Sequence, residues 1–404
     1  MIEKNKKSIL ITSNAYYPNV GGIENSLYHL AHVFNQKGYN VDIVISNIDN
    51  SFPKNKLAPS EKIDDINIHR YNVVYKLPFF LKPFSVFLSF ISLYKTLKKV
   101  KKISAPEITI SRFHTTTIFS KLVGLKKIIY LVPGVVKYQN HPNKLSNKHG
   151  LSKVKQYISY YYHVYLQSKA FQYADKLAVF SQNMKTQVLE CISPKKDILL
   201  VKPGVDLKKF YPISDNKKFT LRKKNLIPED KIILLGIGRF VKAKGFIYIL
   251  EALKYLDNYH LVLVGSGEEE YTYKKFIEDN KLQEKVTFTG AQQNPVEYYQ
   301  LSDFFIMSSI YEPLGQTILE ALSCSLPIVA FHANETGVTT ATSEILRDDE
   351  VIYVKKLSGY AISEIISSYS HMNLSNIKSK ARNIAQERFS WERLAENLQS
   401  YESK

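Results

Sequence analysis

Cysteine is nearly absent from this chain. Only Cys191 and Cys324 occur, with no C-x-x-C spacing. That excludes a disulfide scaffold and a thiolate metal knot, and leaves two reduced thiols in apolar or helical surroundings, as expected of a cytosolic protein. No Asp-x-Asp pair is present and no Cys/His cluster has metal-ligand spacing, so no metal is expected. A G-x-G-x-x-G on the first strand–helix unit is also missing. Asn19 to Glu24 reads N-V-G-G-I-E instead, which argues against a nicotinamide-dependent oxidoreductase. GSGEE at 265–269 supplies only a lone G-x-G, so no cofactor is expected. The opening MIEKNKKSILITSNAYYP holds only a short apolar run, too little for the core of a secretory leader, and reads as a first strand.

Long apolar runs are scarce, with one exception. Residues 77–94, LPFFLKPFSVFLSFISLY, carry a single charge, Lys82, and are followed by Lys95, Lys98, Lys99, Lys101 and Lys102. The run sits at the lower edge for a spanning helix and Pro83 interrupts it. Three readings stand: a core helix of the first domain, a segment dipping into a bilayer with its lysines on anionic headgroups, and a true span. The charge distribution favours partial membrane contact. Negative charge is short in the first half, where residues 1–212 hold 32 Lys/Arg against 12 Asp/Glu, a balance of +20; residues 213–404 hold 23 against 25, a balance of −2. A chain basic merely through overall composition would show the excess in both halves. The first half therefore faces something anionic. No nucleic-acid motif is present, so nucleic acid is not expected as a partner. A membrane surface, a lipid-linked diphosphate or an acidic polymer fits better.

What is present is strand–helix alternation over a length that calls for two domains. SILITS (8–13) reads as a buried strand, 24–37 as a helix ended by Gly38, and VDIVIS (41–46) as the next strand. Gly21 and Gly22 end the first loop, where backbone can approach a ligand closely. EITISRFHTT (107–116) reads as a strand ending in a polar loop, which turns His114 to the ligand side if the sheet is parallel, and KKIIYLVPGVV (126–136) as another strand. The tyrosine-rich 151–173 reads as a long helix, and VKPGVDLKKFYP (201–212) as a linker. KIILLGIGRF, HLVLVGSG, KVTFTG and FFIM continue the alternation, which predicts a second parallel sheet covered on both faces.

The stretch FFIMSSIYEPLGQTILEALSCSLPIVA (304–330) organises the second half. A strand gives way to two serines, then Glu312 and a proline open a helix, and Glu320 follows eight residues after Glu312. Gly315 and the free N–H groups after it form a helix start suited to a diphosphate, with Glu320 near enough to reach a hydroxyl-rich group attached to it. Arg239 and Lys244, flanked by Gly238 and Gly245 after a strand end, are placed to meet a departing diphosphate without a metal: Arg grips two oxygens and Lys supplies a compact charge. Lys242 between them reads as solvated.

Glu-x7-Glu in EPLGQTILE, with Y-P-x-x-G-G-x-E at 17–24, P-G-V-D-x-x-x-F at 203–210, G-R-x4-K-G at 238–245 and V-x-F-x-G at 286–290, resembles the retaining nucleotide-sugar glycosyltransferases of family 4 (glycosyl transferases group 1). The five ordered segments span most of the chain. The resemblance implies an α/β protein of GT-B fold: two Rossmann-like domains whose parallel sheets face a central cleft, with a last helix crossing back to the first domain. The implied bounds are 1–205 for the acceptor-binding domain, 206–385 for the donor-binding domain and 386–404 for the returning helix.

It further implies a hexosyltransferase moving a sugar from a UDP- or GDP-linked donor to a glycan, lipid-linked or anionic polymer acceptor. The setting is cell-envelope polysaccharide synthesis, peripherally on the inner face of the cell membrane. Glu312 would contact the donor sugar, Glu320 the ribose hydroxyls, and the loop from Gly290 and Ala291 the base. Gly21 and Gly22 would lie against the phosphates, and Gly238, Arg239, Lys244, Leu314, Gly315, Gln316 and Thr317 would complete the donor site. Catalytic roles would fall to Glu312, Arg239, Lys244 and His114. Many relatives place a histidine after the strand at 126–136; here Pro133-Gly134 stand there. A non-catalytic nucleotide-sugar binder remains the alternative.

Overall fold

A computed structural model of the chain describes residues 7–19, 21–49, 56–74, 82–139, 151–192, 196–312, 315–370 and 375–400. It divides into two compact units, Met1–Val201 with Trp391–Lys404, and Lys202–Ser390.

The first unit is built on an eight-stranded sheet in the order β3-β4-β2-β1-β5-β6-β7-β8. The strands are β1 (Ser8–Thr12), β2 (Asn40–Ser46), β3 (Ser60–Ile63), β4 (Ile66–Tyr71), β5 (Ile108–Ser111), β6 (Ile128–Leu131), β7 (Lys176–Val179) and β8 (Ile198–Leu200). All neighbours run parallel except β3, which pairs antiparallel with β4 at the edge. The central strands are continuous apolar runs because helices cover both faces, so each side chain, up or down, meets a dry layer. Helix α1 (Gly22–Gln36) buries Leu27, Leu30, Ala31, Val33 and Phe34 at helical spacing. Helix α2 (Lys82–Ser104) buries Leu93, Leu97 and Val100 against β2, β4 and α3 (His114–Leu122), and α3 packs in turn on α4 (Leu151–Tyr173).

The apolar run at 77–94 is therefore divided. Ser89 and Leu93 are buried, while Phe84, Val86, Phe87, Leu88 and Tyr94 are exposed; residues 77–81 lie outside the described residues. Among the described residues no helix is long and apolar enough to cross a membrane.

The second unit holds a six-stranded parallel sheet in the order β11-β10-β9-β12-β14-β16. Its strands are β9 (Ile232–Ile237), β10 (Tyr259–Val264), β11 (Val286–Gly290), β12 (Phe304–Met307), β14 (Ile328–Phe331) and β16 (Ile352–Val354); β13 (Tyr311–Glu312) and β15 (Thr339–Thr340) form a separate two-stranded pair. Helix α5 (Phe246–Ala252) and helix α6 (Gln316–Ser323) follow β9 and β13. Two apolar layers, one centred on Leu235, Phe305 and Ile318 and the other on Leu234, Leu263 and Val329, sandwich the sheet. Arg382 fastens the helix at 375–388 to this body by donating to the carbonyls of Phe210, Ser323 and Leu207.

The last helix, α7 (Trp391–Ser400), belongs to the first unit and lies against α1, with Leu394, Ala395 and Leu398 buried. Trp391 stacks on His29 of α1, ring centroids 5.0 Å apart.

Candidate functional site

In an open parallel sheet ligands sit outside the carboxyl ends of the strands where the strand order reverses. In the second unit that point lies between β9 and β12, and the G-R-x4-K-G segment and Glu312 follow those two strands. After β9 the chain passes through Gly238, with φ +152°, to a tight turn at Lys242–Lys244 and then Gly245, with φ +60°, before α5. A side chain at Gly245 would drive its Cβ to 2.2 Å from the Ser308 carbonyl, so only glycine lets the turn seat against the end of β12. Ser308 Oγ donates to Lys244 O at 2.9 Å and Ile310 N to Ala243 O at 2.9 Å, which locks the two strand ends together.

Lys244 runs across Gly238, where a Cβ would lie 3.0 Å from its Cε, and its Nζ donates to Glu312 Oε2. Both side chains are more than four-fifths buried. Glu312 Oε1 accepts from Gly315 N at 3.2 Å, and the Glu312 carbonyl accepts from Ala341 N at 2.8 Å. This carboxylate is thus fixed from backbone and side chain, with one cation held against it. Arg239, two residues after β9, is exposed and has no ion-pair partner among the described residues; Lys242 is exposed too.

Helix α6 opens at Gln316 behind Gly315, whose φ of +70° is the left-handed start. The expectation that proline begins this helix is corrected by three residues: the glycine turn after Glu312 intervenes, and Pro313 and Leu314 lie outside the described residues. Gln316 Nε2 donates to Gly204 O at 3.1 Å, so it is committed to the P-G-V-D segment, while Thr317 is half-buried. Glu320 lies further along α6 and accepts from the Tyr299 hydroxyl at 2.6 Å. Burial raises its carboxyl to about 7, against the opposing pull of Tyr299, Lys209 and Lys244. At the end of β11, Gly290 (φ +69°) and Ala291 are exposed, and a Cβ at Gly290 would meet open space. Among the described residues no three His, Cys, Asp or Glu side chains are grouped to hold a metal ion.

The first unit has its own reversal point, between β1 and β5. Gly21 and Gly22 lie at the start of α1, after β1, as the loop reading requires. His114 differs from its expected place. The strand at 107–116 ends at Ser111, and His114 is the first residue of α3, buried, with its Nε2 3.0 Å from His163 Nδ1. Burial, helped by His163, lowers His114 to about 3, so the ring is neutral and already engaged. Sequence reasoning missed Tyr299, Ser308 and His163, whose contacts join elements distant in the chain; Tyr299 lies twenty-one residues from Glu320, with no local signal.

A family model described as Glycosyltransferase Family 4 matches residues 20–209, and one described as Glycosyl transferases group 1 matches residues 217–388. An uncharacterized glycosyltransferase of Methanocaldococcus jannaschii is 26% identical over 405 residues, covering 96% of each chain. The lipopolysaccharide core biosynthesis glycosyltransferase LpsD of Rhizobium meliloti is 35% identical over 123 residues, 30% of this chain and 36% of that protein. The crystal structure of Anabaena HepE in complex with UDP and glucose superposes with a TM-score of 0.71 at 17% identity, covering 98% of both chains. The fold is GT-B, and the chain belongs to the group 1 glycosyltransferases.

Proposed function

We propose that the chain transfers a hexose, with retention of configuration, from a UDP- or GDP-linked sugar to a hydroxyl of a growing cell-surface glycan at the cytoplasmic face of the membrane. The observation that carries this reading is the largely buried Lys244–Glu312 pair at the reversal point of the second sheet, with Arg239 exposed two residues after β9. A leaving diphosphate develops negative charge that must be met at once. Lys244 is poised in a site with little water, where a cation is worth more than in solution, and Arg239 adds a fork of donors. Glu312 shares Lys244 with the leaving diphosphate and contacts the donor sugar. Same-face departure and attack, with the leaving phosphate taking the acceptor's proton, requires no covalent sugar on Glu312.

Glu320 accepts from the ribose hydroxyls, and the exposed backbone at Gly290 and Ala291 receives the base. UDP in the HepE complex and lipopolysaccharide core synthesis by LpsD support a UDP-sugar donor and a surface-glycan acceptor. The N-terminal unit is the acceptor side, and its exposed front of α2 with the neighbouring lysines supports docking on an anionic membrane.

The test is release of free UDP or GDP from a panel of sugar nucleotides with EDTA present. Release from one donor that survives EDTA supports metal-independent transfer. Release abolished by EDTA overturns the role given to Arg239 and Lys244, and no release with any donor or acceptor leaves a non-catalytic binder. Lys244→Ala and Glu320→Ala are each expected to lower turnover at least about tenfold while the protein stays folded by circular dichroism. Wild-type rates in both place the site elsewhere.

A further inference from the structure

The donor reading of the second unit leaves a buried cation in the first without a task. Arg112 follows β5 directly, at the carboxyl edge of the sheet where its order turns from β1 to β5. It is 2% exposed, and its Nε and Nη1 have no hydrogen-bond partner among the described residues. Its backbone N donates to Thr12 O at 2.8 Å, and its guanidinium carbon lies 5.2 Å from the Phe180 ring centroid, so the side chain is held by packing. Thr12 Oγ1, at the end of β1, is likewise buried and unpartnered.

The other interior arginines of this chain are treated differently. Arg222 donates through Nε and both Nη to the carbonyls of Leu301, Glu229 and Lys231 and to Asp303; Arg70 donates through both Nη to the carbonyls of Ala58 and Tyr17 and to Glu61, and only its Nε lacks a partner. An arginine that serves only stability is satisfied in this way, because unmade N–H bonds in a dry site are costly.

The acidic group that acts on Arg112 is Glu24, in the first turn of α1 and the last position of the Y-P-x-x-G-G-x-E motif. It is not hydrogen-bonded to Nε or Nη1. Instead its Oε2 folds back over Gly21, where a Cβ would come within 2.4 Å of it. Glu24 also lines a cavity of about 170 Å³ together with Tyr16, Tyr17, Asn19, Asn25 and Tyr28. The cavity reaches Glu24, which after Tyr130 acts electrostatically on Arg112.

We propose that Arg112 receives an oxyanion of the acceptor, a phosphate or a carboxylate, and that Glu24 is the group whose negative charge competes with it. The unpartnered Nε and Nη1 each hold a charge-assisted N–H for an oxyanion, and the +20 balance of residues 1–212 draws such a group in. This rests on the N-terminal unit being the acceptor side.

The experiment is thermal unfolding of the full chain against inorganic phosphate and, separately, acetate at constant ionic strength. The variants are Arg112→Gln, Arg112→Lys, Glu24→Gln and the double variant Arg239→Gln/Lys244→Gln. The expected result is a saturable rise in Tm with phosphate that persists in the double variant and is lost in Arg112→Gln. Half-saturation should move to at least about tenfold more phosphate in Arg112→Lys and to several-fold less in Glu24→Gln. An equal rise with acetate assigns a carboxylate; a rise with phosphate alone assigns a phosphate.

No rise in the wild type, or an unchanged rise in Arg112→Gln, overturns the proposal. If Arg112→Gln does not fold, Glu24→Gln decides, and an unchanged half-saturation there overturns it. The donor reading fails separately, by a UDP-induced rise that survives in the Arg239→Gln/Lys244→Gln variant.

Discussion

Glu320 carries a carboxyl that burial lifts to about 7, while the Tyr299 hydroxyl at 2.6 Å pulls the other way. A carboxyl raised on folding binds its proton more readily in the native state. Its contribution to stability is full below the unfolded value of 4.5 and is lost as pH rises through about 7. Wild-type stability, measured by urea unfolding, should therefore fall by about 2–3 kcal/mol more than that of Glu320→Gln between about pH 5 and pH 8. A parallel pH dependence in the two proteins would mean the carboxyl titrates normally. On the role proposed for Glu320, function moves in the opposite sense, since the ionised carboxylate is the stronger acceptor for two ribose hydroxyls. Donor KM should drop through neutrality in the wild type and stay flat in Glu320→Gln. Tyr299→Phe removes the bond that lowers the carboxyl, so the midpoint of that KM profile should move to higher pH. A midpoint that stays put would show that the phenol does not act on Glu320.

At the scale of elements, α7 shows how little chain fixes a unit. Ten residues place Trp391, Leu394, Ala395 and Leu398 against α1. Trp391→Ala should cost about 3 kcal/mol, the scale for a buried indole, and lower the unfolding midpoint of the first unit. A loss below about 1 kcal/mol by denaturant titration would mean α7 only drapes over α1. The elements also show what periodicity can carry. The helix over 151–173 has the bounds its pattern predicts, and β2 differs from 41–46 by one residue. The strand within 107–116 ends at Ser111, and the polar stretch after it, expected as loop, is helix from His114 although Thr115, Thr116 and Thr117 are β-branched. In the structure Thr116 and Thr117 turn their hydroxyls onto the Phe113 carbonyl and open α3 instead. Lys244 and Glu312 were each legible from their motifs. Their pairing was not, because it joins two strand ends 68 residues apart through a glycine turn that admits the Ser308 carbonyl.

The whole molecule separates its charges by half, and that separation sets its expected behaviour at a surface. Phe84, Val86, Phe87 and Leu88 project from the front of α2. The lysines at 95, 98, 99 and 102 lie exposed further along the same helix. Ile158, Tyr161 and Tyr165 are exposed on α4, which packs with α2 on either side of α3. Such a face is costly to leave in water but suits an interface where aromatic rings enter the headgroup layer and lysines meet phosphates. Each lysine near an anionic surface adds about 1 kcal/mol at low salt, and that attraction fades beyond a Debye length of about 10 Å at 0.1 M. The full chain should therefore co-sediment with vesicles containing phosphatidylglycerol and not with purely zwitterionic ones, and binding should weaken as salt rises. Phe84→Ser/Phe87→Ser should weaken it further at every salt concentration while leaving unfolding unchanged, since both rings are already in solvent. Binding that ignores salt would transfer the weight to ring insertion. Absence of binding to anionic vesicles at low salt would leave the +20 balance to the acceptor alone.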